Sequence, residues 1–174
     1  MIFSHKKVVL FRLKPFKTPM KARFLGFALF FMCLTISTMN AQDKDPVMQK
    51  SNDLVYEGNN LISEDFVSAE KEYRKAISKA TSNSIGSYNL GNAYYNSGHL
   101  DESLLRHLEA IKNASSKSEK HSAYHNIGNI LMQQELCKEA VEAYKNALRN
   151  NPTDDESRYN LALAKECAKQ QGEG

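Results

Sequence analysis

The sequence predicts an all-α protein built from helical repeats, and two observations support this prediction. The first three copies of a short glycine-centred motif are each followed by a second stretch in which small and large residues recur at helical spacing. The motif glycines lie 33 and 37 residues apart, and a period near 34 made of two short helices is typical of a solenoid. A solenoid usually works as a surface for another chain. The four motif copies are Gly58-Asn59, Tyr88-Asn89-Leu90-Gly91-Asn92, Tyr124-His125-Asn126-Ile127-Gly128-Asn129 and Tyr159-Asn160-Leu161-Ala162, the last with alanine in place of glycine.

The residue types within each copy explain how the predicted helices pack. Glycine inside a helix costs about 1 kcal/mol relative to alanine, but its missing side chain lets two helices approach closely. Large tyrosines then fill the space beside the small residues, and a proline ends the last repeat. One hairpin cannot bury both of its faces, so neighbours must stack. An ordinary helical bundle is the alternative. We expect this packing to involve Gly58, Gly91, Gly128, Ala69, Ala140, Tyr73, Tyr144 and Pro152.

The third copy is the most complete, with Ala140, Tyr144, Ala147-Leu148 and Asn151-Pro152 after its glycine. These residues resemble the tetratricopeptide repeat (TPR) family. The second copy departs from the family pattern at Ser103 and His107, where alanine and an aromatic residue are usual. The resemblance implies a right-handed solenoid of three helix-turn-helix repeats and a C-terminal capping helix. The predicted repeats span about 51–80, 84–114 and 118–151, the capping helix about 155–171 and the tail 172–174.

The capping helix is predicted to bury one face and expose the other. Its apolar face comprises Tyr159, Leu161, Ala162, Ala164 and Ala168, and the opposite face is charged. A terminal helix of a solenoid must bury one side and contact water with the other.

The N-terminus is predicted to be a signal peptide spanning residues 1–41. Basic residues precede an apolar run, 24–36, which is shorter than the roughly 20 residues that span a bilayer. We expect cleavage between Ala41 and Gln42, followed by a polar linker at 42–50. The true start is either Met1, with a long basic leader, or Met20. An uncleaved membrane anchor is the alternative.

The charge distribution changes which partners are expected. The whole chain has a formal net charge of +3, but residues 1–41 hold seven of the 23 basic residues and none of the 20 acidic ones. The remainder is therefore acidic and lacks the basic run of a nucleic-acid footprint. It also lacks a basic amphipathic helix, so we expect no direct lipid binding after cleavage.

Motifs for catalysis, cofactors or metals are not found in the sequence, so the protein is predicted not to be an enzyme and to need no cofactor. His121 and His125 lie four residues apart, but no third ligand is evident nearby, which favours plain repeat positions over a metal site. Export makes a disulfide between Cys137 and Cys167 conceivable. Because a bridge needs Cα atoms within about 7 Å, two separate thiols are the expectation.

A stripe of amide side chains recurs on the first helices of the repeats. Asparagine is a poor residue for a helix interior, so its recurrence calls for a reason. The TPR resemblance implies that this stripe lines a concave groove and binds a peptide backbone; the alternative is that the amides join neighbouring helices. A carboxylate clamp for chaperone C-termini is not expected, because Tyr88, His125 and Tyr159 stand where that variety needs basic residues. The candidate contacts are Asn89, Asn92, Asn96, Asn126, Asn129, Gln133 and Asn160, with Asn59 extending the stripe.

A narrower resemblance covers residues 144–165, which look like the repeat protein of aerotolerance (Bat) operons, often called BatC. It implies an exported protein, periplasmic or envelope-associated, that acts with membrane proteins carrying von Willebrand factor A domains. The sequence thus predicts a scaffold that binds a protein or peptide on its concave face. The alternative is a structural or self-associating solenoid whose groove is filled by its own linker.

Overall fold

The computed structural model describes residues 45–172, all of whose regular structure is α-helical, which confirms the predicted fold class. The predicted signal peptide, the two possible start residues and the end of the tail lie outside the described residues. No helix within residues 45–172 is both long and apolar enough to cross a lipid bilayer. The helices are α1 (Pro46–Leu61), α2 (Phe66–Lys79), α3 (Ser84–Asn96), α4 (Leu100–Asn113), α5 (Lys117–Gln133), α6 (Cys137–Asn150) and α7 (Asp155–Gly172).

The helices form three stacked hairpins and a terminal helix. Helices α1 and α2, α3 and α4, and α5 and α6 pack as pairs, and α7 packs on α6 and α5. Contacts also join α1 to α3, α3 to α5 and α5 to α7, so the first helices of the repeats form one continuous layer. This TPR-like stack is the arrangement that the repeats predict, whereas the right-handed sense of the solenoid stays a prediction.

The predicted linker at 42–50 is wrong for its second half, because α1 begins at Pro46. Proline suits the first position of a helix, where its missing N–H would have no partner in any case. The Asp45 side chain caps this helix by accepting a hydrogen bond of 2.9 Å from the Val47 amide. The first repeat therefore starts before residue 51.

In the first hairpin and again in the third, a close contact between a glycine and a tyrosine joins the two helices of the hairpin. A Cβ atom added to Gly58 would lie 2.6 Å from Tyr73 Cε1, and one added to Gly128 would lie 2.5 Å from Tyr144 Cε1. Both tyrosine rings are buried. The missing side chains therefore make room for the rings. The predicted small residues of the second helices, Ala69 and Ala140, have no exposed surface, and Pro152 lies in the turn before α7.

The second hairpin uses a histidine where the others use tyrosine. His107 is fully buried against Gly91, where an added Cβ atom would lie 2.9 Å from the histidine Nε2 atom. Neither ring nitrogen has a hydrogen-bond partner among the described residues, and the ring meets Tyr88 edge to face at 5.3 Å. Burial lowers the pKa of His107 to about 4, so the ring is neutral at pH 7. The Ser103 hydroxyl donates to the Gly91 carbonyl at 2.8 Å.

The expectation of two separate thiols is wrong, because Cys137 and Cys167 form a disulfide. Their Cα atoms lie 5.8 Å apart, within the usual range for a bridge. A short turn reverses the chain between α6 and α7, so the first residue of α6 lies beside the last turns of α7. The disulfide joins the terminal helix to the third repeat.

The predicted buried face of the terminal helix is also partly wrong. Tyr159 is 66% exposed and Ala162 is exposed, whereas Ser157 and Ala164 are buried. Ala162 occupies the position at which the glycines of the earlier repeats meet the second helix of their own hairpin. No such helix follows α7 within the described residues, so this position faces outward.

Candidate binding face

Amide side chains link the first helices of successive repeats. Each link runs from the asparagine two residues before one motif's small residue to the asparagine directly after the preceding motif's glycine. The same pair of positions is used three times along the stack. We call this set the amide ladder: Asn89 Nδ2 donates to Asn59 Oδ1 at 2.9 Å, Asn126 Nδ2 to Asn92 Oδ1 at 2.7 Å, and Asn160 Nδ2 to Asn129 Oδ1 at 3.2 Å.

The two buried tyrosines donate hydrogen bonds to asparagines of the amide ladder. Tyr73 donates its hydroxyl proton to Asn59 Oδ1 at 2.8 Å, and Tyr144 donates to Asn129 Oδ1 at 2.7 Å. Burial raises the pKa of Tyr144 to about 12, which keeps the hydroxyl protonated as a donor. His107 has no hydroxyl to offer Asn92. The Oδ1 atoms of Asn59, Asn92 and Asn129 thus accept hydrogen bonds within the fold, as the alternative that the amides join neighbouring helices predicts.

Each hydrogen bond of the amide ladder nevertheless uses only one polar group, Nδ2 or Oδ1, of each asparagine side chain. The Nδ2 groups of Asn92 and Asn129 have no partner among the described residues, nor do the Oδ1 atoms of Asn126 and Asn160. An asparagine offers two donor hydrogens and one acceptor oxygen. The ladder therefore leaves donors and acceptors alternating along one face. This is the pattern that a peptide main chain can match.

Two adjoining depressions open on this face, with volumes of about 250 and 220 Å³. Tyr95 and Asn129 border both, and none of the residues that line either one is charged. Asn92, Asn96 and Asn126 complete the first depression; Met132, Tyr144, Asn160 and Leu163 complete the second.

The predicted contact residues are only partly brought together. Asn89 lines neither depression and hydrogen-bonds Asn59, and Gln133 lies exposed at the end of α5. Tyr95, Met132 and Leu163 line the depressions without being among the predicted contact residues. A signal existed for two of them, since Tyr95 and Met132 each stand four residues after a motif glycine, one turn beyond the asparagines.

The two neighbouring histidines have partners within the fold. His121 Nδ1 lies 3.1 Å from the Ala147 carbonyl oxygen, and His125 Nδ1 lies 2.8 Å from Ser157 Oγ. Hydrogen bonds from Ser157 hold the pKa of the nearby Asp154 carboxyl below its usual value. Within residues 45–172, no group of three His, Cys, Asp or Glu side chains is placed to hold a metal ion.

Comparisons with known proteins show similarity to TPR proteins. A family model described as "TPR repeat" matches residues 128–166, and no curated protein matches the chain. The N-terminal domain of stress-induced protein-1 (STI-1) from C. elegans is 20% identical, with a TM-score of 0.65 over 70% of this chain and 99% of that one.

Two further solved structures share the fold. The Sgt2 TPR domain from Aspergillus fumigatus is 23% identical, with a TM-score of 0.63 over 72% of this chain and 83% of that one. The first TPR of Spaghetti (RPAP3), bound to the HSP90 peptide SRMEEVD, is 20% identical, with a TM-score of 0.64 over 70% of this chain and 94% of that one.

Proposed function

We propose that the protein is an exported, non-catalytic adaptor, because residues 128–166 match a TPR repeat model and the chain shares the fold of TPR domains. It binds an extended segment of another protein along the concave face that carries the amide ladder. The observation that carries this proposal is the alternation of unpartnered amide donors and acceptors beside two depressions that share Tyr95.

The chemistry of the face narrows the class of ligand. The depressions are lined by amide, aromatic and apolar side chains without charge. Main-chain amides of an extended peptide would satisfy the asparagines, while apolar side chains would contact Tyr95, Met132 and Leu163. The RPAP3 structure holds the acidic HSP90 peptide SRMEEVD. Without lysine or arginine in the depressions, an uncharged segment is the better ligand here.

The proposed location and partner rest on two further features, a disulfide and a sequence resemblance. The disulfide between Cys137 and Cys167 supports export, since disulfides persist in oxidising compartments. The resemblance of residues 144–165 to BatC supports a Bat-type envelope complex. In that complex the partners are membrane proteins with von Willebrand factor A domains, and the adaptor is periplasmic or envelope-associated.

The alternative function, a solenoid that fills its own groove, finds less support. Residues 46–50 of the proposed filling segment form the first turn of α1. A segment fixed in a helix cannot also lie extended along the concave face.

If the protein is exported as proposed, its mature form begins at Gln42. N-terminal sequencing of the protein purified from the envelope of its own cell checks this. A cytoplasmic protein that still begins at Met1 or Met20 would contradict export, while leaving the binding face untouched.

Asn129 allows binding to be separated from stability. Asn129→Asp keeps an oxygen that accepts from Tyr144 and Asn160 but removes the Nδ2 donor, so we expect roughly two- to tenfold weaker binding, from one lost hydrogen bond, and an unchanged fold. Asn129→Ala removes the acceptor as well and should also lower the melting temperature. Isothermal titration against the purified soluble domain of a von Willebrand factor A membrane protein from the same cell measures the affinity.

Asn60→Asp is the matched control, because Asn60 is exposed on α1 and the change in charge is the same. Equal affinities for Asn129→Asp and Asn60→Asp would show that the ladder does not contact the partner. Circular dichroism on each variant verifies the fold.

A further inference from the structure

One end of the repeat stack carries an exposed basic face. A groove of about 850 Å³ runs along the outer side of α2, next to α1. Its apolar residues are Leu54 and Val67, and Val67 is 71% exposed. Arg74 pairs with Glu70, which also lines the groove, and Lys75 pairs with Glu72, while Lys71 and Lys79 form no ion pair with any described residue. We call this surface the basic groove: Leu54, Val67, Lys71, Arg74, Lys75 and Lys79.

The other end carries an exposed face of opposite charge. On α7, acidic and apolar side chains follow a spacing of three and four residues, which places them on one side of the helix. Tyr159 is 66% and Leu163 46% exposed. At the edge of this side Arg158 pairs with Asp155, and Glu156 Oε1 lies 3.4 Å from His125 Nε2. We call this surface the acidic strip: Asp155, Glu156, Tyr159, Ala162, Leu163 and Glu166.

These two surfaces match in chemistry but cannot meet within one molecule. Helix α2 contacts α1 and α3, whereas α7 contacts α5 and α6. Each surface has exposed apolar side chains beside charged ones, and the charges are opposite. The complement of each surface is therefore present on a second copy of the chain.

We propose that copies of this protein associate head to tail, with the acidic strip of one copy lying in the basic groove of the next. Tyr159 and Leu163 contact the apolar residues of the groove, and Glu156 and Glu166 pair with Lys71 and Lys79. The contact is heterologous, so it extends into a chain of copies unless the rotation closes a ring. It uses the ends of the stack, and of the residues in the two surfaces it shares Leu163 with a depression of the concave face.

The size of the surfaces sets the expected strength. One helix face in one groove belongs to the small interfaces, which are weak and transient. Exposed charges attract over a Debye length of about 8 Å at physiological salt and only about 3 Å at 1 M. Association should therefore rise with protein concentration and fall at high salt.

Sedimentation velocity over a concentration series, on the protein as its own cell processes it, tests the proposal. We expect the weight-average mass to rise with concentration, and Lys71→Glu/Lys79→Glu to weaken association at least roughly tenfold, because like charges then face each other. Glu156→Lys/Glu166→Lys should do the same. Mixing the two variants should restore association, since each groove then meets a strip of opposite charge.

Lys112→Glu/Lys138→Glu is the matched control, because it changes the net charge equally at exposed positions outside both surfaces. It should associate like the unsubstituted protein. A protein that is monomeric at every concentration overturns the proposal, and so does a mixture of the two variants that stays monomeric. Association that survives both double substitutions would place the contact elsewhere on the molecule.

Discussion

Replacing Cys167 with serine is expected to lower the free energy of unfolding by about 3–4 kcal/mol. The bridge links residues separated by 30 positions, and closing a loop of this length restricts the unfolded chain by about that amount. The effect should concentrate on α7, which the disulfide holds against α6. Urea unfolding followed by circular dichroism measures the change.

Reductant provides the control for this prediction. Dithiothreitol should destabilise the unsubstituted protein by about the same amount and leave Cys167→Ser unaffected. Cys137→Ser should match Cys167→Ser, and the double substitution should lose little more. If dithiothreitol leaves the midpoint of urea unfolding of the unsubstituted protein unchanged, the predicted contribution of the disulfide is wrong.

Mild acid is expected to destabilise the fold through His107. The pKa of this histidine falls from its ordinary value of 6.5 to about 4 in the folded chain because the ring is buried. Below pH 6.5 His107 binds a proton in the unfolded chain but not in the folded chain. The free energy of unfolding therefore falls as the pH is lowered to about 4. Between pH 7 and pH 5 the loss should be about 2 kcal/mol.

His107→Phe isolates this contribution from that of the carboxylates. The substitution breaks no hydrogen bond within residues 45–172, since neither nitrogen of His107 has a partner there, and an apolar ring cannot take up a proton. We expect the variant to lose about 2 kcal/mol less than the unsubstituted protein between pH 7 and pH 5. Urea unfolding at both pH values measures the difference; equal losses would show that His107 is protonated in the fold.

The architecture could be predicted because the same pattern of small and large residues recurs in successive repeats. The spacing of Gly58, Gly91 and Gly128 marks the first helices, and Tyr73 and Tyr144 mark the second. The predictions of helix position and burial that proved wrong concern the first and last helices of the repeat stack, each of which has a neighbouring repeat on one side only. Pro46, which the sequence predicts to lie in a linker, is the first residue of α1.

The candidate site was harder to predict, because it depends on which half of each amide the fold consumes. The pattern placed the asparagines on one face, but it could not show that Asn129 Oδ1 is occupied by Tyr144 and Asn160 while its Nδ2 is not. The pairing of Cys137 and Cys167 depends likewise on a distance between helices. Such distances are set by packing and leave no trace in residue spacing.

The amide ladder also makes each repeat an interchangeable unit. Every interior first helix carries a donor two residues before its glycine and an acceptor directly after it. A duplicated or deleted hairpin would therefore meet the same hydrogen-bond partners on both sides. Lengthening or shortening of the array by whole units, whether by gene duplication or by protein engineering, preserves the joint between neighbours.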